Sequence, residues 1–117
     1  MKTTTRKILL SLAFCFALIS VRAQYVTIPD TNFVNWLNAH SYQACMNGNQ
    51  LDTNCNLVKR AKIISLYNLN LYDLTGISYF DSLENLLCYN NNLTSLPKLP
   101  HLLQSLICHD NQLTFLP

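Results

Sequence analysis

The hydrophobic positions in the last third of the chain follow one spacing twice. LENLLCYNNNLTSLP begins at Leu83 and LQSLICHDNQLTFLP begins at Leu103, and aligned from these leucines both copies read LxxLxCxxNxLTxLP. One such copy cannot bury its own leucines, and the pattern therefore predicts that neighbouring copies pack on one another. The repeat is the pattern around which the rest of the chain is interpreted.

Within one copy, the alternation of side chains predicts a short strand. Leu86 and Cys88 are separated by one residue and should point to the same inner side. Asn91 and Asn111 follow where the chain leaves the strand, and a side-chain amide there can pair backbone groups that a turn leaves open. So short a period leaves no room for a helix on the return, and Pro97 favours an extended segment instead.

A divergent copy precedes these two, with a slightly longer spacing that aligns Ala61 with Leu83. Its apolar positions fall on those of the next copy: Ala61, Ile64, Leu66, Leu71 and Leu74. Leu69 stands where the later copies have asparagine, and a segment with Gly76 and Phe80 replaces the proline-rich return. We expect Gly76 to adopt a positive φ and Phe80 to fill the space beside it.

The residues LTSLPKLPHLLQSL resemble the short LPX-type leucine-rich repeats of bacteria, and residues 61–117 resemble the secreted leucine-rich-repeat proteins of Gram-negative bacteria. The resemblance implies an α/β solenoid: a short leucine-rich-repeat stack with parallel strands on the concave face, extended convex returns and a small N-terminal helical cap. Proteins of this kind often continue with more repeats and a C-terminal sorting domain. Because the chain stops within the third copy, we expect it to be the truncated N-terminal portion of a longer protein.

The residues before the repeats predict an amphipathic helix. Pro29-Asp30-Thr31 has the pattern of a helix start, where Asp30 or Thr31 can accept from the free amides of the first turn. One apolar face follows at helical spacing: Phe33, Trp36, Leu37 and His40. IPDTNFVNWL is similar to the cap that opens many secreted bacterial leucine-rich-repeat proteins. We assign residues 24–60 to this cap and residues 61–117 to three repeats.

Cys45 and Cys55 bracket a polar, turn-rich loop, which in an exported chain predicts a disulfide. Such a bridge would stabilise the fold by roughly 3 kcal/mol in the chain-entropy model. The alternative is a calcium loop, built from Asn47, Asn49, Gln50 and Asp52. One carboxylate without a following glutamate makes that the weaker hypothesis. Cys88 and Cys108 occupy an inner position in their copies and are expected to be free, buried thiols.

Residues 1–23 have the pattern of a cleavable signal peptide. A basic start precedes an apolar run from Ile8 to Val21, too short to span a membrane, and Val21-Arg22-Ala23 resembles a cleavage site. Removing these residues takes away four of the eight basic residues and none of the six acidic ones, so the formal charge changes from +2 to −2. A nucleic-acid partner is therefore not indicated, and we expect a secreted or cell-surface protein.

Candidate catalytic and metal-binding residues are few. Cys108, His109 and Asp110 are consecutive, but neighbours on a strand point to opposite sides, which prevents a nucleophile–base pair. Cys88, Cys108 and His101 lack the spacing of a zinc site. The two glycines of the chain form no phosphate-binding loop. We expect no enzyme activity, no metal and no cofactor.

The outward positions of the strands predict three columns with one residue from each copy. They are Ser65, Leu87 and Ile107; Tyr67, Tyr89 and His109; and Asn68, Asn90 and Asp110. Exposed aliphatic residues beside tyrosines are typical of binding patches. We predict that a partner binds the first two columns, through Ser65, Tyr67, Leu87, Tyr89, Ile107 and His109.

The leading hypothesis is a secreted, non-enzymatic module that binds a protein or surface partner through the concave face, an inference from the implied fold. One alternative is a structural or adhesive envelope protein that binds glycan. Another is a fragment of an LPX-type bacterial ubiquitin-ligase effector. That second resemblance implies a separate catalytic domain with a nucleophilic cysteine and no cleaved signal peptide, and this chain departs from it on both points.

Overall fold

The computed structural model describes residues 24–117, and the predicted signal peptide lies outside them. In chain order the elements are strand β1 (Tyr25–Thr27), helix α1 (Thr31–Ala39), strands β2 (Met46–Asn47) and β3 (Gln50–Asp52), helix α2 (Asn56–Arg60), and strands β4 (Ile63–Ser65), β5 (Asn85–Leu87) and β6 (Ser105–Ile107). Two short 3-10 helices span Gln43–Cys45 and Ile77–Tyr79.

The first three strands form an antiparallel sheet in the order β1-β3-β2. Leu51 at its centre is fully buried and lies opposite Val26 on one side and Met46 on the other. Gly48 has a φ of +60°, a conformation that lets β2 turn directly into β3. Cys45 and Cys55 flank this hairpin and form the predicted disulfide, with their Cα atoms 5.6 Å apart.

Helix α1 begins where the sequence predicts, with Asp30 as its N-cap. The Oδ1 atom of Asp30 accepts from two amides of the first turn, at 2.9 and 3.1 Å. Of the predicted apolar face, only Phe33 and Leu37 are fully buried. Trp36 is half-buried and stacks on the exposed ring of His40, with ring centroids 4.2 Å apart, where the helix ends.

The last three strands form a parallel sheet in the order β4-β5-β6. Ile64 lies opposite Leu86, and Leu86 lies opposite Leu106. The same residues coincide when the three copies are aligned in the sequence. The repeated spacing therefore places equivalent residues side by side on neighbouring strands.

Asn91 closes the turn that follows β5, as the repeat predicts. Its Oδ1 atom accepts from the amides of Leu69 at 3.1 Å and Leu71 at 3.0 Å. Its Nδ2 atom donates to several carbonyls, of which that of Leu66 is nearest at 2.6 Å. Asn111 makes corresponding contacts one strand later. The asparagine thus pairs backbone groups that the turns could not pair among themselves.

The segment between β4 and β5 turns at Gly76, whose φ of +107° confirms the expected positive value. Phe80 is fully buried, as predicted. A Cβ atom at Gly76 would lie 2.3 Å from the Cδ1 atom of Ile28, so the turn packs directly against the N-terminal half of the chain.

One hydrophobic core joins the two sheets. Its members are Ile28, Phe33, Leu37, Cys45, Leu51, Val58, Ile64, Leu66, Leu71, Leu74, Ile77, Phe80, Leu83, Leu86, Cys88, Leu93 and Leu96. Burying one leucine or phenylalanine side chain contributes about 1.5–3 kcal/mol, so this shared core, rather than either sheet alone, carries the stability.

The predicted fold class, an α/β solenoid formed by a leucine-rich-repeat stack with a helical cap, is wrong. The described residues form two small three-stranded sheets, one antiparallel and one parallel, with few helices, and show no repeat stack. The repeated spacing in residues 61–117 predicted which strands are neighbours, but it contained no sign of the antiparallel sheet, whose strands of two or three residues are too short to show a period. Residues 24–60, interpreted as a helical cap, instead supply a complete sheet and part of the common core.

Candidate functional site

The parallel sheet has one buried side and one open side. Ile64 and Leu86, in the middle of their strands, are buried in the core. Ser65, Leu87 and Ile107 lie opposite one another on adjacent strands, as predicted, and their side chains alternate with the buried ones. Ser65 and Ile107 are exposed and Leu87 is half-buried. The first predicted column is therefore one continuous row across the sheet.

The second predicted column is a ladder of stacked rings. Tyr67 and Tyr89 have ring centroids 4.9 Å apart and an interplanar angle of 3°. Tyr89 and His109 follow at 4.8 Å and 12°. The spacing matches the separation of neighbouring strands, so the backbone register sets the stacking. Tyr89 is half-buried and has a ring against each of its faces, whereas Tyr67 and His109 at the ends of the ladder are exposed.

The third predicted column forms the turns after the strands. Asn68, Asn90 and Asp110 have φ values of +59°, +54° and +53°. Asparagine and aspartate tolerate this left-handed region better than other non-glycine residues, which explains their recurrence at one position in each copy. The side-chain amide of Asn90 also donates to the Oδ1 atom of Asn68.

Ile63 belongs to the open side but was missing from the predicted set. It precedes Ser65 by two positions on β4 and is 61% exposed, a large value for an isoleucine. The signal was present in the sequence, because alternate residues on a strand share a face. We use the name sheet face for Ile63 and the six predicted residues together: Ser65, Tyr67, Leu87, Tyr89, Ile107 and His109.

The sheet face carries almost no charge. Its single titratable group besides the tyrosines is His109, whose Nδ1 atom lies 2.7 Å from the Oδ2 atom of Asp110. Both side chains are well exposed, at 61% and 71%. Near the other end of the strands, Lys62 pairs with Glu84. The middle of the face is therefore aliphatic and aromatic, with ionisable groups at its rims.

The two cysteines outside the disulfide are free thiols, as expected. Cys88 is fully buried, and burial, followed by the nearby Cys108, raises the pKa of its thiol to about 12. A thiol with so high a pKa stays protonated at neutral pH and is a poor nucleophile. Cys108 is only half-buried, which differs from the predicted full burial, because β6 has no neighbour on its outer side in the described sheet.

An open cavity of about 500 Å³ lies at that outer side of β6. It is lined by Leu106, Ile107, Cys108, His109, Asp110, Asn111, Leu113 and Leu116. Within residues 24–117, no group of three or more His, Cys, Asp or Glu side chains could hold a metal ion. The helices in this part of the chain are all too short or too polar to cross a membrane.

Comparison with known proteins yields no match: no protein-family model matches the chain, and neither a curated protein nor a solved structure is significantly similar to it.

Proposed function

We propose that the protein is a secreted, non-enzymatic binding module that takes a protein partner on its sheet face. The observation that supports this most is the ring ladder of Tyr67, Tyr89 and His109 beside exposed aliphatic side chains. Tyrosine offers a large, rigid contact area at low entropic cost. Stacking restricts these rings further, so less rotational freedom is lost when a partner binds.

The aliphatic side chains give the face a second element of a protein-binding patch. Ile63 is 61% exposed and Ile107 is 40% exposed, and the half-buried Leu87 lies between their strands. An uncharged centre with a polar rim is the usual composition of such patches. Binding at this face should therefore depend little on ionic strength.

The ladder geometry favours a protein over a glycan. A sugar ring commonly packs flat on an exposed aromatic face, whereas both faces of Tyr89 are already covered by Tyr67 and His109. The edges and the two tyrosine hydroxyls remain available, and they suit apolar side chains and backbone carbonyls of a polypeptide. The glycan-binding alternative thus lacks a central platform.

The effector alternative implies a nucleophilic cysteine in a separate catalytic domain, and the free thiols of the described residues do not take that role. Of the two free thiols among the described residues, Cys88 is buried with its pKa raised to about 12, and Cys108 has no hydrogen-bonded base within the described chain. The disulfide between Cys45 and Cys55 is compatible with an extracellular protein. A relationship to secreted bacterial leucine-rich-repeat proteins is part of this proposal, and it rests on the repeated pattern LxxLxCxxNxLTxLP in the sequence.

The proposal is tested with three forms of the chain: the parent, Leu87→Asp on the sheet face, and Lys98→Ala away from it. Each is immobilised and titrated with fractionated extracellular protein from the source cells and, separately, with a glycan array. We expect a saturable protein ligand that the parent and Lys98→Ala retain equally and Leu87→Asp loses. Equal retention by all three forms, or saturable binding to glycans alone, would contradict the proposal.

A further inference from the structure

Strand β4 pairs with β5 through alternate backbone groups. The carbonyl of Lys62 accepts from the amide of Asn85 at 3.0 Å, and the amide of Leu66 donates to the last carbonyl of β5 at 2.7 Å. Successive residues of a strand turn their amides and carbonyls to opposite sides, so the residues between these two points alternate as well. The amides and carbonyls of Ile63 and Ser65 therefore point away from β5.

The outer side of β4 is an open edge. The parallel sheet has the order β4-β5-β6, so no further strand of residues 24–117 lies beside β4 on that side. Ile63 is 61% exposed and Tyr67 is 42% exposed, and Ser65 between them is exposed as well. This edge lies within the described chain, with α2 before it and the turn at Gly76 after it. Ile63 and Ser65 thus offer two donors and two acceptors to an added strand.

The residues that lead into β4 are basic. Of the four lysine and arginine residues that follow the predicted signal peptide, three are close together, namely Lys59, Arg60 and Lys62. Lys59 pairs with Asp81, and Lys62 pairs with Glu84. Arg60 is exposed and has no ion pair within the described residues. One guanidinium group at the start of the edge is therefore free to pair with a carboxylate.

The side chains at this edge favour a strand with alternating polarity. Ile64 and Leu66 are buried in the core, whereas the exposed Ile63 and Tyr67 lie on the open side of the sheet. Residues directly opposite each other on paired strands have their side chains on the same side. An added strand would therefore place apolar side chains opposite Ile63 and Tyr67, with polar side chains at the alternate positions.

We propose that the outer edge of β4 binds an extended segment of a partner protein as an antiparallel strand whose carboxyl-terminal end is acidic. The antiparallel direction gives the more stable pairing per residue, and it brings the end of the added strand beside Arg60, just before β4. Strand addition takes its affinity from main-chain hydrogen bonds and its specificity from the side chains. The site uses backbone groups that the sheet face leaves free, and it does not rest on the proposed function.

The charges beside the edge select among possible occupants. Cations next to an open strand discourage pairing with unrelated chains, and they repel a basic segment while they attract an acidic one. A second copy of this chain, paired antiparallel through its own β4, has no carboxylate after β4 until Asp73, so Arg60 would stay unpaired. The occupant that fits the charges is therefore an acidic segment of another protein.

The first experiment uses a synthetic peptide of sequence TVTVTVEE, labelled with fluorescein at its amino end and titrated with the full chain by fluorescence anisotropy. In the proposed register, its last valine lies opposite Ile63 and its middle valine lies opposite Ser65. We expect saturable binding. Methylation of the backbone nitrogen of the middle valine should weaken binding about tenfold or more, because it removes the donor to the Ser65 carbonyl. Methylation of the next threonine nitrogen, which points away from β4, should leave binding unchanged.

A charge exchange tests the acidic end of the added strand. Arg60→Glu should weaken binding of TVTVTVEE about fivefold, whereas the peptide TVTVTVKK should bind this variant more tightly than it binds the parent. Lys98→Glu makes the same change in net charge on the return between β5 and β6, and it should leave both affinities nearly unchanged. Binding of the acidic peptide should also weaken as the salt concentration rises, unlike binding at the sheet face.

Hydrogen exchange shows where the peptide lies. We expect new protection at the amides of Ile63 and Ser65, whereas those of Ile64 and Leu66 face β5 and should change little. The absence of saturable binding, equal binding of the two methylated peptides, or protection confined to other strands would overturn the proposal. An Arg60→Glu variant that binds both peptides as the parent does would overturn it as well. Concentration-dependent dimers that protect Ile63 and Ser65 without peptide would identify a second copy as the occupant, contrary to the proposal.

Discussion

Two hydrogen bonds join the segment around Asp30 to the segment around Tyr72. The Oδ2 atom of Asp30 accepts from the backbone amide of Tyr72 at 2.7 Å, and the Tyr72 hydroxyl donates to the carbonyl of Pro29 at 2.7 Å. The same carboxylate oxygen accepts from the amide of Asp73 at 3.1 Å, while the other oxygen caps helix α1. One buried carboxylate therefore ties the start of α1 to the turn that follows β4.

We predict that Asp30→Ala lowers the free energy of unfolding by about 2–4 kcal/mol, because the change removes the helix cap and leaves the partly buried amides of Tyr72 and Asp73 without this acceptor. Urea denaturation followed by circular dichroism measures the effect. Asp81→Ala serves as control, since its ion pair with Lys59 is exposed and should contribute less than about 1 kcal/mol. Similar losses for the two variants would show that Asp30 does not join the two segments.

Asn91→Ala is expected to lower the free energy of unfolding by about 1–3 kcal/mol. Asn91 is only 5% exposed, so the amides of Leu69 and Leu71 would lose their acceptor inside the protein. The neighbouring exposed residue provides the control, and Asn92→Ala should have little effect. The urea midpoints of both variants measure the change in stability. Equal midpoints would contradict the role assigned to the Asn91 side chain.

Gly76→Ala should destabilise the fold more than Gly48→Ala. Both glycines have positive φ, which costs an alanine about 1–2 kcal/mol, but only at Gly76 would the added Cβ atom meet a neighbour, the Cδ1 atom of Ile28 at 2.3 Å. Thermal unfolding of both variants compares the two costs. Replacing Ile28 by valine removes Cδ1, so Gly76→Ala should cost less in an Ile28→Val background than in the parent. An unchanged cost in that background would exclude the steric explanation.

Cys88 should make stability fall at alkaline pH. Burial raises its pKa to about 12 in the folded protein, above the ordinary value of 9.0, so the folded state holds this proton more tightly than the unfolded state. The stabilising contribution is complete below about pH 9 and is lost as the pH rises towards about 12. Urea unfolding at pH 8 and pH 10.5 measures the loss. Cys88→Val should reduce this pH dependence, and an identical loss in that variant would contradict the prediction.

Tyr89→Ala should weaken binding at the sheet face by about 2 kcal/mol or more, because Tyr89 is the middle ring of the ladder and has a neighbour on each face. The ligand identified with the parent chain is titrated against the variant, with circular dichroism as the folding control. Lys98→Ala lies outside the sheet face and should leave the affinity unchanged. Equal affinities for Tyr89→Ala and the parent would exclude the ladder as the contact surface.

Several parts of the candidate site could be predicted from the sequence. The alignment of Leu83 with Leu103 anticipated that Leu87 and Ile107 lie opposite each other on neighbouring strands. It also placed Tyr89 beside His109. A strict period determines which residues are neighbours, because parallel strands joined by returns of nearly equal length pair at equivalent positions.

Other parts of the site depended on geometry that a pattern does not contain. The sequence pattern did not distinguish residues on the strands from residues in the turns after them. Asn68, whose backbone is in the left-handed region, was therefore predicted to lie on the outward side of the strands. Ile63 was left out although its alternation with Ser65 was visible. Only the structure shows that Ile63 is 61% exposed, because an isoleucine near the end of a strand can be either buried or exposed.

The sequence by itself determined the local and periodic features: the start of α1 at Asp30, the turn-closing Asn91 and the pairing of Cys45 with Cys55. Each depends on residues close in the chain or on a repeated spacing. Only the tertiary structure decided the antiparallel sheet, whose very short strands show no period and pair through distant contacts such as Val26 with Leu51. The hydrogen bond between the second carboxylate oxygen of Asp30 and the amide of Tyr72 was also decided only by the tertiary structure. Tyr72 is far from Asp30 in the chain, and the two come within reach only when both sheets pack on one core.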